Sequence, residues 1–110
     1  MADYSQKVRD IRRRFLESLD ARVGDIDSVL RQVETGAPGA ADELHLRLHD
    51  LSGNAAMLGF DGMAREARRG LDAIDNGYGE ASGNSPEATA IVRSSIARIR
   101  ELKAEGETSE

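Results

Sequence analysis

The chain has 110 residues and a formal net charge of −5, one domain's worth of sequence that can bury roughly two thirds of its unfolded surface around a single core. That acidity argues against nucleic acid or an anionic membrane surface as the partner. The lack of cysteine excludes disulfides and thiolate zinc sites, and no window approaches the ~18 consecutive apolar residues of a membrane span. With aromatics at only 4%, the core must be built from Leu, Ile, Val, Ala and Met, the palette of a helical bundle. A cytoplasmic location is the expectation.

Taken in chain order, the first apolar stripe is Val8, Ile11, Phe15, Leu19, Val23, Ile26, Leu30 and Val33. Its three- and four-residue spacing predicts a long helix, N-capped by Ser5, or two nearly collinear helices bent around Ser18 to Gly24. The run "TGAPG" ends it, with Gly36, Pro38 and Gly39 forming a loop. Ala41, Leu44, Leu48, Leu51, Ala55 and Leu58 make a second seam. Asp42 and Glu43 lie in its first turn, where carboxylates suit the helix dipole, and Gly59 is its stop. A third helix carries Met63, Ala67, Leu71 and Ile74 and ends near Asn76 and Gly77. The Gly-rich run at 76–85 is expected to be a flexible loop. Ser85, Pro86 and Glu87 start a fourth helix, whose buried face is predicted to be Ala88, Ile91, Val92, Ser95, Ile99 and Leu102, with a frayed tail after about residue 104. No strand pattern or internal repeat is present. The predicted fold is all-α, an antiparallel up-and-down four-helix bundle forming one domain over residues 1–110.

The second helix carries both histidines of the chain. At about 100° per residue, with Leu44 at zero, its seam stays within roughly 40° of that direction and His49 falls about 140° away, on the outward side. His45, Leu46, Ser52, Gly53 and Ala56 are assigned to the same outward strip. Gly53 stands out, because a glycine inside a helix costs stability and offers solvent no side chain. It marks either clearance for an approaching surface or close helix packing. A neutral imidazole is a good nucleophile near pH 7 and can accept a phosphoryl group on one ring nitrogen. Exposure of His49 is what such chemistry needs.

The run "HDLSGNAAMLG" resembles the core of histidine phosphotransfer (Hpt) domains, whose pattern is a histidine, Leu two residues on, commonly Lys three on, Gly four on and a second Gly ten on. His49, Leu51, Gly53, Leu58 and Gly59 fill it, and "FDGMAREARRGLDAID" resembles the following helix of that family. The resemblance implies a relay in which His49 accepts a phosphoryl group from the aspartate of a receiver domain or from a histidine kinase and passes it to another receiver aspartate. It implies a phosphocarrier without catalytic activity of its own and without a cofactor, Mg²⁺ belonging to the receiver. His49 would be the phosphoacceptor, with Gly53 giving clearance and His45, Leu46, Ser52 and Ala56 offering phosphate or partner contacts. The chain departs from the pattern at Ser52, where the family commonly has Lys. A hydroxyl brings a hydrogen bond but no charge; Arg65, Arg68 and Arg69 of the next helix offer guanidinium groups in compensation, and Arg68, off the apolar face, is the choice.

Other constellations are weaker. His45 and His49 are spaced i, i+4, but the run "HLRLH" lacks the glutamate of a zinc-protease motif, so no metal site is expected. "GYGEASG" lacks the Lys and Ser or Thr of a phosphate loop. "RDIRRR", Arg9 to Arg14, is either a solvated face with pairs such as Asp10 to Arg14 or part of a docking site for an acidic partner. The expected protein is a monomer; a non-phosphorylated docking or inhibitory module that binds receivers or kinases is the alternative.

Overall fold

The computed structural model describes residues 2–77 and 86–105. Four helices account for nearly all of them, α1 (Ala2–Glu34), α2 (Ala40–Met57), α3 (Asp61–Gly77) and α4 (Pro86–Glu105). Each packs on its neighbour in sequence, and α4 returns to α1. Cross-helix contacts fix the directions. Asp25 meets Arg47 between α1 and α2, His45 meets Asp75 between α2 and α3, and α1 meets α4 through Glu34–Arg93 at one end and Asp20–Lys103 further along. Every adjacent pair is antiparallel, the predicted up-and-down bundle. No described helix is long and apolar enough to cross a membrane.

The two short connections are built alike. After α1, the Gly36 amide bonds the Val33 carbonyl at 3.0 Å and the Ala37 amide reaches back to Gln32 at 2.9 Å. After α2, Gly59 bonds Ala56 at 3.1 Å and Phe60 bonds Ala55 at 2.8 Å. Both are Schellman caps, and both put glycine in the left-handed region, at φ +78° for Gly36 and +86° for Gly59. The second cap turns Phe60 inward, where it is fully buried and stacks on Phe15 with ring centroids 5.6 Å apart.

The core holds Leu19, Val23, Ile26, Leu30 and Val33 of α1, Leu44, Leu48, Leu51 and Ala55 of α2, Met63, Ala67, Leu71 and Ile74 of α3, and Val92, Ile96 and Ile99 of α4. Several sequence expectations shift. α1 is one continuous helix; its 33 residues at about 1.5 Å each give about 50 Å, close to the 53 Å longest extent of the molecule, so no bend at Ser18 to Gly24 is needed. It begins at Ala2, so Ser5 is inside it and is no cap. Because α1 outruns α2, its first turns lose their partners: Val8 is half-buried and Ile11 is 49% exposed. On α4 the buried face is rotated toward Thr89 and Ile96, leaving Ile91 at the surface. α3 ends at Gly77, where its stop was expected, so Asn76 and Gly77 belong to the helix and not to the 76–85 loop; the rest of that loop, the Ser85 cap and the tail beyond Glu105 lie outside the described residues.

Arg93 hydrogen-bonds Glu34 and holds its carboxyl below the usual carboxylate range. A depressed pKa stabilises the fold above the unfolded carboxyl's range, and that contribution is lost as acid protonates the pair.

Gly59→Ala forces a Cβ into the left-handed region and is expected to lower the unfolding free energy by about 1–2 kcal/mol. Phe60→Ala should cost about 3–5 kcal/mol. Urea midpoints at unchanged slope measure both, and a neutral Gly59→Ala would disprove the cap geometry.

Candidate functional site

α2 is wedged between two neighbours. The Arg47 flank faces α1, where Arg47 contacts Asp25 at 3.6 Å; the His45 flank faces α3. What remains for solvent is the arc between them. His49 lies on it with 69% of its side chain exposed, Nδ1 being 4.0 Å from Asp50 Oδ1. Leu46 is 58% exposed, and Gly53 and Ala56 are exposed as well.

His45 behaves differently from His49. Its Nε2 lies 3.0 Å from Asp75 Oδ1 on α3, so one ring nitrogen is already engaged. The two imidazoles are nearly parallel, with centroids 6.5 Å apart and planes 12° apart. Sequence inspection missed Asp75, since only the register of α2 against α3 makes it a partner.

Ser52 corrects the outward strip. It is only 3% exposed. At about 80° from Leu44 it is on the flank that α3 covers, whereas His49 at about 140° clears it. Ser52 therefore offers no side chain to a docked partner. The close-packing reading of Gly53 is excluded: a Cβ built there would meet no atom within 4 Å, and its backbone φ is not positive. Neither packing nor backbone conformation accounts for a glycine at that position. Gly70, by contrast, is buried on α3, where an added Cβ would make ordinary contacts, 3.6 Å from Leu48 Cδ1 and 3.5 Å from Ser95 Oγ.

These contacts set the register of α3. Asp75 stands opposite His45 and Gly70 opposite Leu48, so Arg68 comes level with Leu51 and Ser52. Seven residues from Asp75, it is also within about 20° of the same flank. Arg68 is exposed and makes no ion pair among the described residues. Arg69 is drawn the other way, 3.0 Å from Glu66 and 3.0 Å from Ser94 on α4. Arg65 projects furthest outward, about 160° from Ala67 on the buried face. Among the described residues no cluster of three or more His, Asp and Glu could hold a metal ion.

The arrangement presents one exposed imidazole beside an unfilled gap on α2, with an arginine level with the flank of the next helix. Comparison with known proteins gives one result: a family model, Hpt domain, matches residues 10–104. Neither the curated proteins nor the solved structures give a match. The matched span runs from the third turn of α1 to the last turn of α4 and includes the whole histidine strip, and the chain belongs to the Hpt domain family, the phosphocarrier domains of histidine phosphorelays.

Proposed function

We propose that His49 is the phosphoacceptor of this domain and exchanges its phosphoryl group with receiver aspartates. The observation that carries this reading is the pairing of an exposed imidazole with an unfilled gap at Gly53, one turn on, where no feature of the fold calls for glycine. The lone pair of the His49 ring nitrogen Nε2 attacks the phosphorus of an aspartyl phosphate. As the P–N bond forms, the P–O bond to the aspartate breaks and the aspartate leaves as a carboxylate. The other nitrogen, Nδ1, keeps its proton through the transfer or yields it to water. Positioning by docking supplies most of the rate, and the receiver contributes the aspartate and its Mg²⁺.

Receiver docking falls on the strip Leu46, His49, Gly53 and Ala56. Such an interface is modest in area and exchanges quickly. Arg68 takes the part of the family's usual lysine: level with Ser52 and free of ion pairs among the described residues, its guanidinium offers a planar fork for phosphate oxygens. His45, tied to Asp75, lines the strip without being the acceptor.

With a phosphorylated receiver as donor, the wild type should gain about 80 Da in an acid-labile form, His49→Gln should gain nothing and His45→Gln should still be modified. A wild type that binds receivers yet stays unmodified would make the chain a docking module instead. Arg68→Ala should keep its helical circular dichroism while the transfer rate falls about tenfold, the loss of one charge-assisted contact; an unchanged rate removes Arg68 from the site. Gly53→Ala separates fold from function: it should raise stability by about 0.5–1 kcal/mol and slow transfer from the receiver, and a variant that is stabilised with transfer intact refutes the clearance role.

A further inference from the structure

His45 takes no part in the transfer step, yet it has a partner and a fixed place beside His49. Its Nε2 lies 3.0 Å from Asp75 Oδ1, across the boundary between α2 and α3. The two side chains are 45% and 54% exposed, and an exposed pair of this kind adds little to stability. The contact instead fixes the ring. With Asp75 accepting from Nε2, the His45 imidazole stands within 12° of parallel to that of His49, at a centroid separation of 6.5 Å.

Helical side chains lean toward the N-terminus of their helix, so the His49 ring reaches back over the turn that carries His45. A phosphoryl group on His49 thus has His45 on one side and Arg68, level with Ser52, on the other. The other charges around His45 among the described residues are negative. α3 presents Asp75, with the exposed Asp72 one turn earlier, and α2 itself carries the exposed Asp42 three residues before His45 and Asp50 beside His49. α1 covers the opposite flank of α2, and α4 stands diagonally across the bundle.

We propose that the His45–Asp75 pair is a protonatable counter-charge for the phosphoryl group of His49, a role that rests on the reading of His49 as phosphoacceptor. With His45 neutral, the pair carries one negative charge and repels a phosphoryl dianion. With both ring nitrogens protonated, the pair is neutral and that repulsion is lifted. The proton comes from water as the phosphoryl group arrives and returns to water when it leaves. At a separation like that of the two rings, a dianion favours one added positive charge by about threefold to tenfold, the lower value at physiological salt. Linkage is reciprocal, so the protonated pair favours retention of the phosphoryl group by the same factor. Through this pair, a fall in pH across the ordinary histidine range loads the domain, and a rise sends the phosphoryl group toward the receiver.

The test is the equilibrium of phosphoryl exchange between one receiver domain and the full chain, read by phosphate-affinity electrophoresis at about pH 6 and about pH 8, either side of the ordinary histidine range. Titration of the receiver, of His49 and of the phosphoryl group is common to wild type and variants and cancels in their ratio. His45→Gln should retain the phosphoryl group about threefold to tenfold less well than wild type at the lower pH and equally well at the higher. His45→Arg, cationic at both, should match wild type at the lower pH and exceed it by the same factor at the higher. A merely structural role would shift both pH values alike. His45 is half-buried on a helix, and His45→Arg carries the test if His45→Gln loses its helical circular dichroism. Parallel pH profiles for wild type and His45→Arg overturn the proposal while leaving His49 as acceptor; a wild type that takes up no phosphoryl group overturns both readings.

Discussion

The placement of α2 between α1 and α3 constrains the rest of the molecule. Its seam of Leu44, Leu48, Leu51 and Ala55 is buried to within 1%, and the burial of such side chains is the main stabilising term available to a small bundle. Two neighbours cover the flanks of that seam and leave a single arc for solvent. The histidine strip lies on this arc, beside the exposed Asp50 and Met57. The arc's edge on the α3 side is sharp: Ser52 falls under α3, while His49, some 60° further round, does not.

Much of this is legible in the residues alone. Four stripes of three- and four-residue spacing, the glycine stops and a Pro-Glu start specify the bundle because each burial pattern can be satisfied only by a neighbouring helix. His49's exposure could be read from its angle on the wheel. Ser52 and Ile11 could not, for opposite reasons. A wheel ranks positions by angle, but where exposure begins depends on how closely the next helix packs, and the approach of α3 at Gly70 is set by residues remote in sequence. Ile11 has the right angle and the wrong height, since α1 continues past the end of α2.

Charge is distributed to match these surfaces. Several arginines are matched within a turn or across one helix boundary, as Arg47 with Glu43 and Asp25, Arg31 with Asp27, and Arg98 with Glu101 and Glu105. Exposed pairs of this kind contribute little to stability, but they cancel local fields. The cations without an ion pair among the described residues include Lys7, Arg9 and Arg14 at the free end of α1, Arg65 and Arg68 on α3 and Arg100 on α4.

The glycine at position 53 has a further consequence for motion. Glycine in a helix interior lowers local stability by about 1 kcal/mol relative to alanine, and nothing packs on this one to compensate. The backbone hydrogen bonds in the turn after His49 thus open more readily, by roughly fivefold, than they would with alanine at position 53. Under the role proposed for His49, a partner settling into the gap would close that turn against water as it aligns the imidazole. Recognition and stiffening of the turn would then be a single event, reversed when the partner departs.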